Sequence, residues 1–210
     1  MPAICDFPNV ITPIDELEAV YGPPADAVQQ KCIDRLDEHC RVLIAHAPFV
    51  LIAAADSTGV DVSPRGGPAG FVRVLDDHRL IIPDAAGNKT TDILHRIVNG
   101  GSIGLLFVIP GRNETLRVRG RACVTRDAEL LEGLQTGGKP AVLGIGVVVE
   151  TAFQHCAKAF MRSGLWQPDQ WPARDALPKP ARVWTDHIAL NEVDEALVEA
   201  FVADDYEHNL

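Results

Sequence analysis

Twice between Phe49 and Pro83 the chain runs from an apolar segment through a tight polar turn into a second segment that must fold back on the first. Phe49 to Ala55 is apolar and leads into Asp56-Ser57-Thr58-Gly59, which is turn chemistry, and then into Val60 to Ser63. Phe71 to Leu75 and Arg79 to Pro83 flank Asp76-Asp77-His78 in the same manner. Turns this short join antiparallel neighbours, because a parallel pair needs a crossover of a dozen or more residues. Ser102 to Ile109 reads as a buried strand. Glu114 to Thr125 alternates, with Leu116, Val118, Gly120, Ala122 and Val124 on one face and Arg117, Arg119 and Arg121 on the other. Val142 to Val149 is a further buried strand, where Gly144 and Gly146 mark bends or close approach. Six or seven strands interrupted by single helices do not make a repeating β-α-β series. The pattern predicts a mainly β, mostly antiparallel barrel with helices at both ends of the chain.

The helices are read from caps and periodicity. Thr12-Pro13-Ile14-Asp15 looks like a helix start that ends at Gly22-Pro23-Pro24. A second helix is predicted from about Asp26 to Ala45, with Val28, Cys32, Leu36, Cys40 and Leu43 as its stripe and Pro48 closing it. A short acidic helix begins near Asp127. The proline- and tryptophan-rich stretch from Gln167 to Arg182 reads as a wrapping segment or linker. The last helix is predicted from about Glu192 to Val202, with Val193, Ala196, Leu197, Ala200 and Phe201 apolar. The whole chain of 210 residues is expected to be one domain, with N-terminal helices over 1–47, a barrel core over 48–166 and the wrapping segment and C-terminal helix over 167–210.

Charge narrows the partners. The net charge of −10 argues against a general nucleic-acid binder, whose affinity rests on neutralising phosphates. Yet residues 63–126 hold ten Lys and Arg against five Asp and Glu, a basic middle suited to a small anionic ligand. No apolar run approaches the ~20 residues of a bilayer crossing, and "MPAICDFPNV" lacks the features of a secretory signal. A cytoplasmic protein without a membrane partner is expected. The five cysteines are scattered without a C-x-x-C and read as small buried thiols rather than disulfides. His39-Cys40 and His155-Cys156 are adjacent pairs, a spacing that rarely converges on one ion, and no metal is predicted.

The candidate site lies in "DAAGNKTTDIL". Ile93, Leu94, Ile97 and Val98 recur at helical spacing and Gly100-Gly101 supplies a stop, so a helix from about Thr90 to Asn99 starts inside the polar stretch. A helix start offers free amides and partial positive charge. Gly87 lets backbone approach closely, Asn88 or Thr90 can cap, and Lys89 adds a full charge. Five residues before Gly87 stands Ile82, so this is not a P-loop. Arg65 ends a strand beside Gly66 and Gly67 in the preceding hairpin. If the strands pair, Arg65 and Lys89 can converge on one phosphate-sized anion, with arginine offering its bidentate fork.

Three stretches, "DVSPRGGPAGFVRVLDDHRLIIPDAAGNKTTDIL", "LLFVIPGRNETLRVRGRA" and "HCAKAFMRSGLW", resemble the pyridoxamine 5′-phosphate oxidase-like FMN-binding flavoproteins. The similarity runs from about Leu36 to Trp166, and is nearest to the branch with S-P-R-G, G-N-[KR] and C-x-K-A-x-x-R-S-x-L-W signatures. The resemblance implies a split β-barrel and a homodimer with FMN at the subunit interface. By it, Arg65 and Lys89 meet the FMN phosphate. Ser63, Pro64 and Gly66 supply strand-end backbone near the flavin, Pro83 and Asp84 pass its ring or ribityl chain, and Gly87 with Asn88 forms the phosphate turn. Thr115, Leu116 and Arg117 reach the cofactor of the partner subunit, and Lys158, Arg162 and Trp166 carry the branch's own signature near the flavin. Arg119 and Arg121 are read as a solvated strand face.

Departures from the vitamin oxidase itself are equally specific. No lysine follows Arg65 in Gly66-Gly67-Pro68-Ala69-Gly70, "TRDAELLEGLQTGGKPAV" has no tyrosine, arginine and serine cluster, and the tail lacks an R-x-H pair. These absences speak against pyridoxine phosphate as substrate. With no Ser-His-Asp or Cys-His arrangement demanding another mechanism, the expected activity is FMN-dependent oxidoreduction of a small molecule, catalytic residue unassigned. The alternatives are a flavin carrier or redox sensor without turnover, and the same barrel holding haem or a deazaflavin.

Overall fold

The computed structural model describes residues 7–84, 91–188 and 193–209. The chain forms two compact units, residues 1–33 and residues 34–210. The first holds α1 (Ile14–Tyr21) and α2 (Asp26–Gln30), neither with a buried residue. Pro13 occupies the cap position of α1 with no side-chain cap bond, and Gly22, at φ +69°, ends the helix before Pro23.

The predicted helix from Asp26 to Ala45 is two helices. α2 stops at Gln30, and α3 (Glu38–His46) starts afresh behind Asp37, whose carboxylate accepts from the Cys40 amide at 2.8 Å. Between them Leu36 is fully buried and its N–H donates to the Asp77 carbonyl. That amide is thereby unavailable to a continuous helix. Cys40 and Ile44 form the buried face of α3, while Val28 and Cys32 of the predicted stripe are exposed.

Both predicted hairpins form. β1 (Phe49–Asp56) pairs with β2 (Gly59–Gly66), and β3 (Arg73–Val74) pairs with β4 (Arg79–Asp84). Then follow α4 (Asp92–Gly100), β5 (Ser102–Val108), β6 (Thr115–Thr125) and α5 (Ala128–Leu131), the last capped by the Asp127 carboxylate. Two short strands, β7 (Gln135–Thr136) and β8 (Lys139–Pro140), pair only with each other. β9 runs from Leu143 to His155, six residues beyond the predicted end, because β6 is long enough to pair with it as far as Thr115↔His155. The main sheet has seven strands, all antiparallel, in the order β2-β1-β5-β6-β9-β4-β3.

One face of that sheet is the core. Val50, Ile52, Leu105, Phe107, Leu116, Val118 and Ala152 are almost wholly buried, and Ile93, Leu94 and Ile97 of α4 join the buried set. β4 is buried on both faces, since Ile81 packs against Leu131 and Leu134 on the other side. A bulge interrupts the β6–β9 ladder between Arg119 and Gly120. A Cβ on Gly120 would stand 2.0 Å from the Val148 carbonyl oxygen, so only glycine admits this approach of the two strands.

After β9 come α6 (Lys158–Ser163), two short 3₁₀ turns, α7 (Pro180–Ile188) and α8 (Glu195–Asn209). The reading of Gln167 to Arg182 as wrapping segment misses α7: Pro180 stands at its first position, where proline needs no N–H partner. The predicted stripe of the last helix is also displaced. Leu197 and Phe201 are more than half exposed and Val198 is the buried residue. The Trp184 and Phe201 rings of α7 and α8 lie 6.4 Å apart. Cys40 alone of the four described cysteines is buried, where loss of water pushes its thiol up to about 11; Cys32, Cys123 and Cys156 are exposed, against the expectation of buried thiols.

Candidate cofactor site

Arg65 lies near the end of β2, paired with Val50 of β1. Its Nη1 donates to the Ser63 hydroxyl at 2.6 Å and to the Pro64 carbonyl at 2.9 Å. Its Nε donates to Asp84 Oδ1 at 3.1 Å, and Nη2 stands 3.1 Å from the same oxygen. Side-chain exposures of 19% and 12% make this a partly desolvated ion pair, in which attraction counts for more than on an open surface. β2 is the first strand of the sheet and β4 the sixth. In a flat sheet strands five places apart would be about 24 Å distant, so the sheet curls to bring Arg65 to Asp84.

Ser63, Pro64, Arg65, Pro83 and Asp84 are thereby brought to one end of the curl, Pro83 buried and Gly66 exposed at the strand end. Gly87, Asn88 and Lys89 lie outside the described residues. Sequence reasoning anticipated a free arginine fork; the Nε/Nη2 edge is instead engaged by Asp84. Nothing in the sequence marks that pairing, which joins residues 19 apart on strands that do not pair with each other.

α4 begins at Asp92 behind Thr91, which makes no side-chain cap bond. The helix is fixed at its middle and at its far end. Arg96 Nη1 donates to Asp56 Oδ1 and to the Thr58 hydroxyl, both at 3.0 Å. A Cβ on Gly100 would stand 2.4 Å from the Ala55 carbonyl oxygen, so backbone meets backbone there. Asp56 is held down to about 2, first by the Thr58 hydroxyl and then by the Thr58 N–H, with Asn99 and Arg96 adding to them against the cost of burial.

Strand register separates the remaining candidates. Arg65, Val50, Phe107, Leu116 and Gln154 form one row across five strands, and Pro64, Leu51, Leu106, Arg117 and Phe153 form the next. Adjacent rows face opposite sides. Leu116 therefore lies on the core side with Arg65, 2% exposed, while Arg117 faces outward with its guanidinium 5.9 Å from the centre of the Phe153 ring. Within one chain Arg65 and Arg117 do not converge.

The outward face carries a groove of about 720 Å³ whose walls include Leu51, Ala53, Leu106, Thr115, Arg117 and Phe160. Thr115 is the one buried polar residue among those described, 3% exposed at the start of β6. Glu150, left over at the bulge, and His155 also line the groove. Sequence reasoning gave Glu150 no role and weighed His155 only as a metal ligand beside Cys156; for Glu150, a glycine in the middle of the alternating arginine strand was the available signal. On α6, Lys158 and Arg162 are exposed. Trp166 stacks on Phe160 at 5.8 Å between ring centres and donates its indole N–H to the Arg112 carbonyl at 2.9 Å. Arg119 reaches Thr151, and Arg121 reaches Ser102 and the Gly100 carbonyl. Among the described residues no group of three or more His, Cys, Asp or Glu could hold a metal ion, and no helix is long and apolar enough to cross a membrane.

An antiparallel seven-stranded sheet, curled so that its first and sixth strands meet and flanked by helices, defines a split β-barrel protein. The chain belongs to the pyridoxamine 5′-phosphate oxidase family, whose profile matches residues 36–156. No curated protein matches it. Among solved structures it is similar to HupZ of Group A Streptococcus, at 20% identity over 56% of this chain and 92% of that one, TM-score 0.46. It is also similar to General Stress Protein 26 of Bacillus anthracis, at 14% identity over 54% and 88%, TM-score 0.42. An FMN-binding protein of Syntrophomonas wolfei is similar at 11% identity over 55% and 83%, TM-score 0.42.

Proposed function

We propose that the protein binds FMN at the interface of a homodimer and acts as an oxidoreductase on a small molecule. The observation that carries this reading is Arg65, fixed at a strand end beside Ser63 and Asp84 in a member of this family. Arg65 and Lys89 would hold the terminal phosphoryl group, with Gly66, Gly87 and Asn88 lending backbone amides and Ser63 and Pro64 steadying the guanidinium. Pro83 and Asp84 would run along the ribityl chain or ring.

The residues fit the cofactor in kind. A partly desolvated guanidinium suits a phosphate monoester, and a groove of about 720 Å³ with apolar walls is of a size to take a flat ring system. Because Arg65 and Arg117 face opposite sides of the sheet, Thr115, the Leu116 backbone and Arg117 would serve the FMN of the partner subunit. The outward face leaves Val60 and Val62 67% and 57% exposed beside Leu51 and Leu106, which supports a second copy covering it. Lys158, Arg162 and Trp166 would close the rim. Bound FMN supplies hydride transfer at its N5; the chain's part is to orient the ring and keep water from it.

The ligand released on denaturation, identified by absorbance and mass, is expected to be FMN. Haem or a deazaflavin would overturn the cofactor assignment. Steady-state oxidation of a reduced nicotinamide cofactor with an electron acceptor tests turnover, and its absence with FMN bound would make the protein a carrier.

A further inference from the structure

We propose that Asp84 and the ligand's phosphoryl group compete for the same edge of Arg65, so that Asp84 sets how strongly the site prefers a phosphorylated flavin. The inference rests on the phosphate reading of Arg65 and goes beyond it by giving the neighbouring carboxylate an opposing role.

The guanidinium is held on two sides by different kinds of partner. Nη1 is bonded to Ser63 and Pro64, both on the arginine's own strand. The Nε/Nη2 edge, the one by which arginine reads carboxylates and phosphates through two parallel bonds, is met by Asp84 from β4. Asp84 meets it with a single oxygen, 3.1 Å from both nitrogens. That is an incomplete match, because a fork is best satisfied by two acceptors, one for each N–H. A phosphoryl group has three oxygens and can give one to each nitrogen. The exchange leaves Arg65 where it is, since the Nη1 side keeps its bonds.

After the exchange Asp84 remains at the end of β4, a negative charge beside a negative ligand. Its side chain is only 12% exposed, so water screens that repulsion poorly. A carboxylate in this position therefore weakens binding of an anion more than binding of a neutral ligand. Removing its charge should favour the phosphorylated ligand over the unphosphorylated one.

The experiment titrates the full chain with FMN and with riboflavin, which lacks the phosphate, following quenching of flavin fluorescence. Asp84→Asn is expected to raise the FMN-to-riboflavin affinity ratio about tenfold; taking the ratio cancels any change at the ring and ribityl chain that the two ligands share. Arg65→Ala is expected to lower that ratio. If Arg65→Ala lowers it but Asp84→Asn leaves it level or lower, the phosphate reading stands and the competition is refuted. If Arg65→Ala leaves the ratio unmoved, the phosphate is elsewhere and both ideas fall. Should Asp84→Asn melt early, Asp84→Ser removes the same charge with a smaller side chain, and its ratio must rise likewise.

Discussion

Arg65 and the row Arg117, Arg119, Arg121 show how one residue type acquires two characters in one sheet. Arg65 is partly buried with Nε, Nη1 and Nη2 all engaged, by a carboxylate, a hydroxyl and a carbonyl. The three β6 arginines are exposed and, among the described residues, form no ion pair with a carboxylate. The cause is register: Arg65 shares a row with Val50 and Phe107 on the core side, whereas Arg117 shares one with Leu51 and Leu106 on the outer side. An arginine turned toward the core side must find acceptors, and the curl of the sheet supplies Asp84. One turned outward is solvated and needs none.

The largest effect expected on this contrast comes from Gly120, which holds the register of the arginine strand. Gly120→Ala would press its Cβ to 2.0 Å from the Val148 oxygen and should cost about 3 kcal/mol or more in urea unfolding. A loss under about 1 kcal/mol would mean that the ladder slides freely, and the assignment of arginines to faces would fail with it. Next in size is the paired comparison of Arg65→Ala with Arg119→Ala in FMN titrations. The first should weaken binding by roughly tenfold to a hundredfold, or about 1.5 to 3 kcal/mol, and the second by less than about twofold. Equal losses would erase the distinction between the two regions.

The smallest effect is on pH dependence, through the carboxylate that anchors α4. Asp56 is lowered from 3.8 to about 2, so the folded chain binds this proton more weakly than the unfolded chain does. The stabilisation is present above pH about 4 and is lost as pH falls from there toward 2. Asp56→Asn should flatten that part of the stability curve. An unchanged acid limb would remove Asp56 from the anchor of α4.

How much of this was legible from residues alone depended on how local the cause was. The turns at Asp56–Gly59 and Asp76–His78 carry their own chemistry, and both hairpins formed where that chemistry put them. α4 was legible from its apolar spacing and its glycine stop. The break between α2 and α3 was not, because the apolar stripe continues through Leu36, whose amide bonds to Asp77 instead of to a helix. α7 was hidden by Pro180, which reads as a breaker unless it is known to be a first residue. The displaced stripe of α8 came from apolar side chains that face out, which periodicity counts as core.

The candidate site divides along the same line. Glycines, prolines, the strand-end Ser63-Pro64-Arg65 and the polar stretch before α4 are features of adjacent residues, and the family match over residues 36–156 spans them. That Arg65 would be held by Asp84, and that Arg117 would turn away from it, required knowing which strands end up side by side.

Alternation and turn chemistry by themselves determined an antiparallel strand array, because each acts over a few neighbouring residues. Only the tertiary structure decided which cation is already partnered and which faces the groove. Those outcomes depend on sheet curl and register, which arise from contacts between residues far apart in the chain.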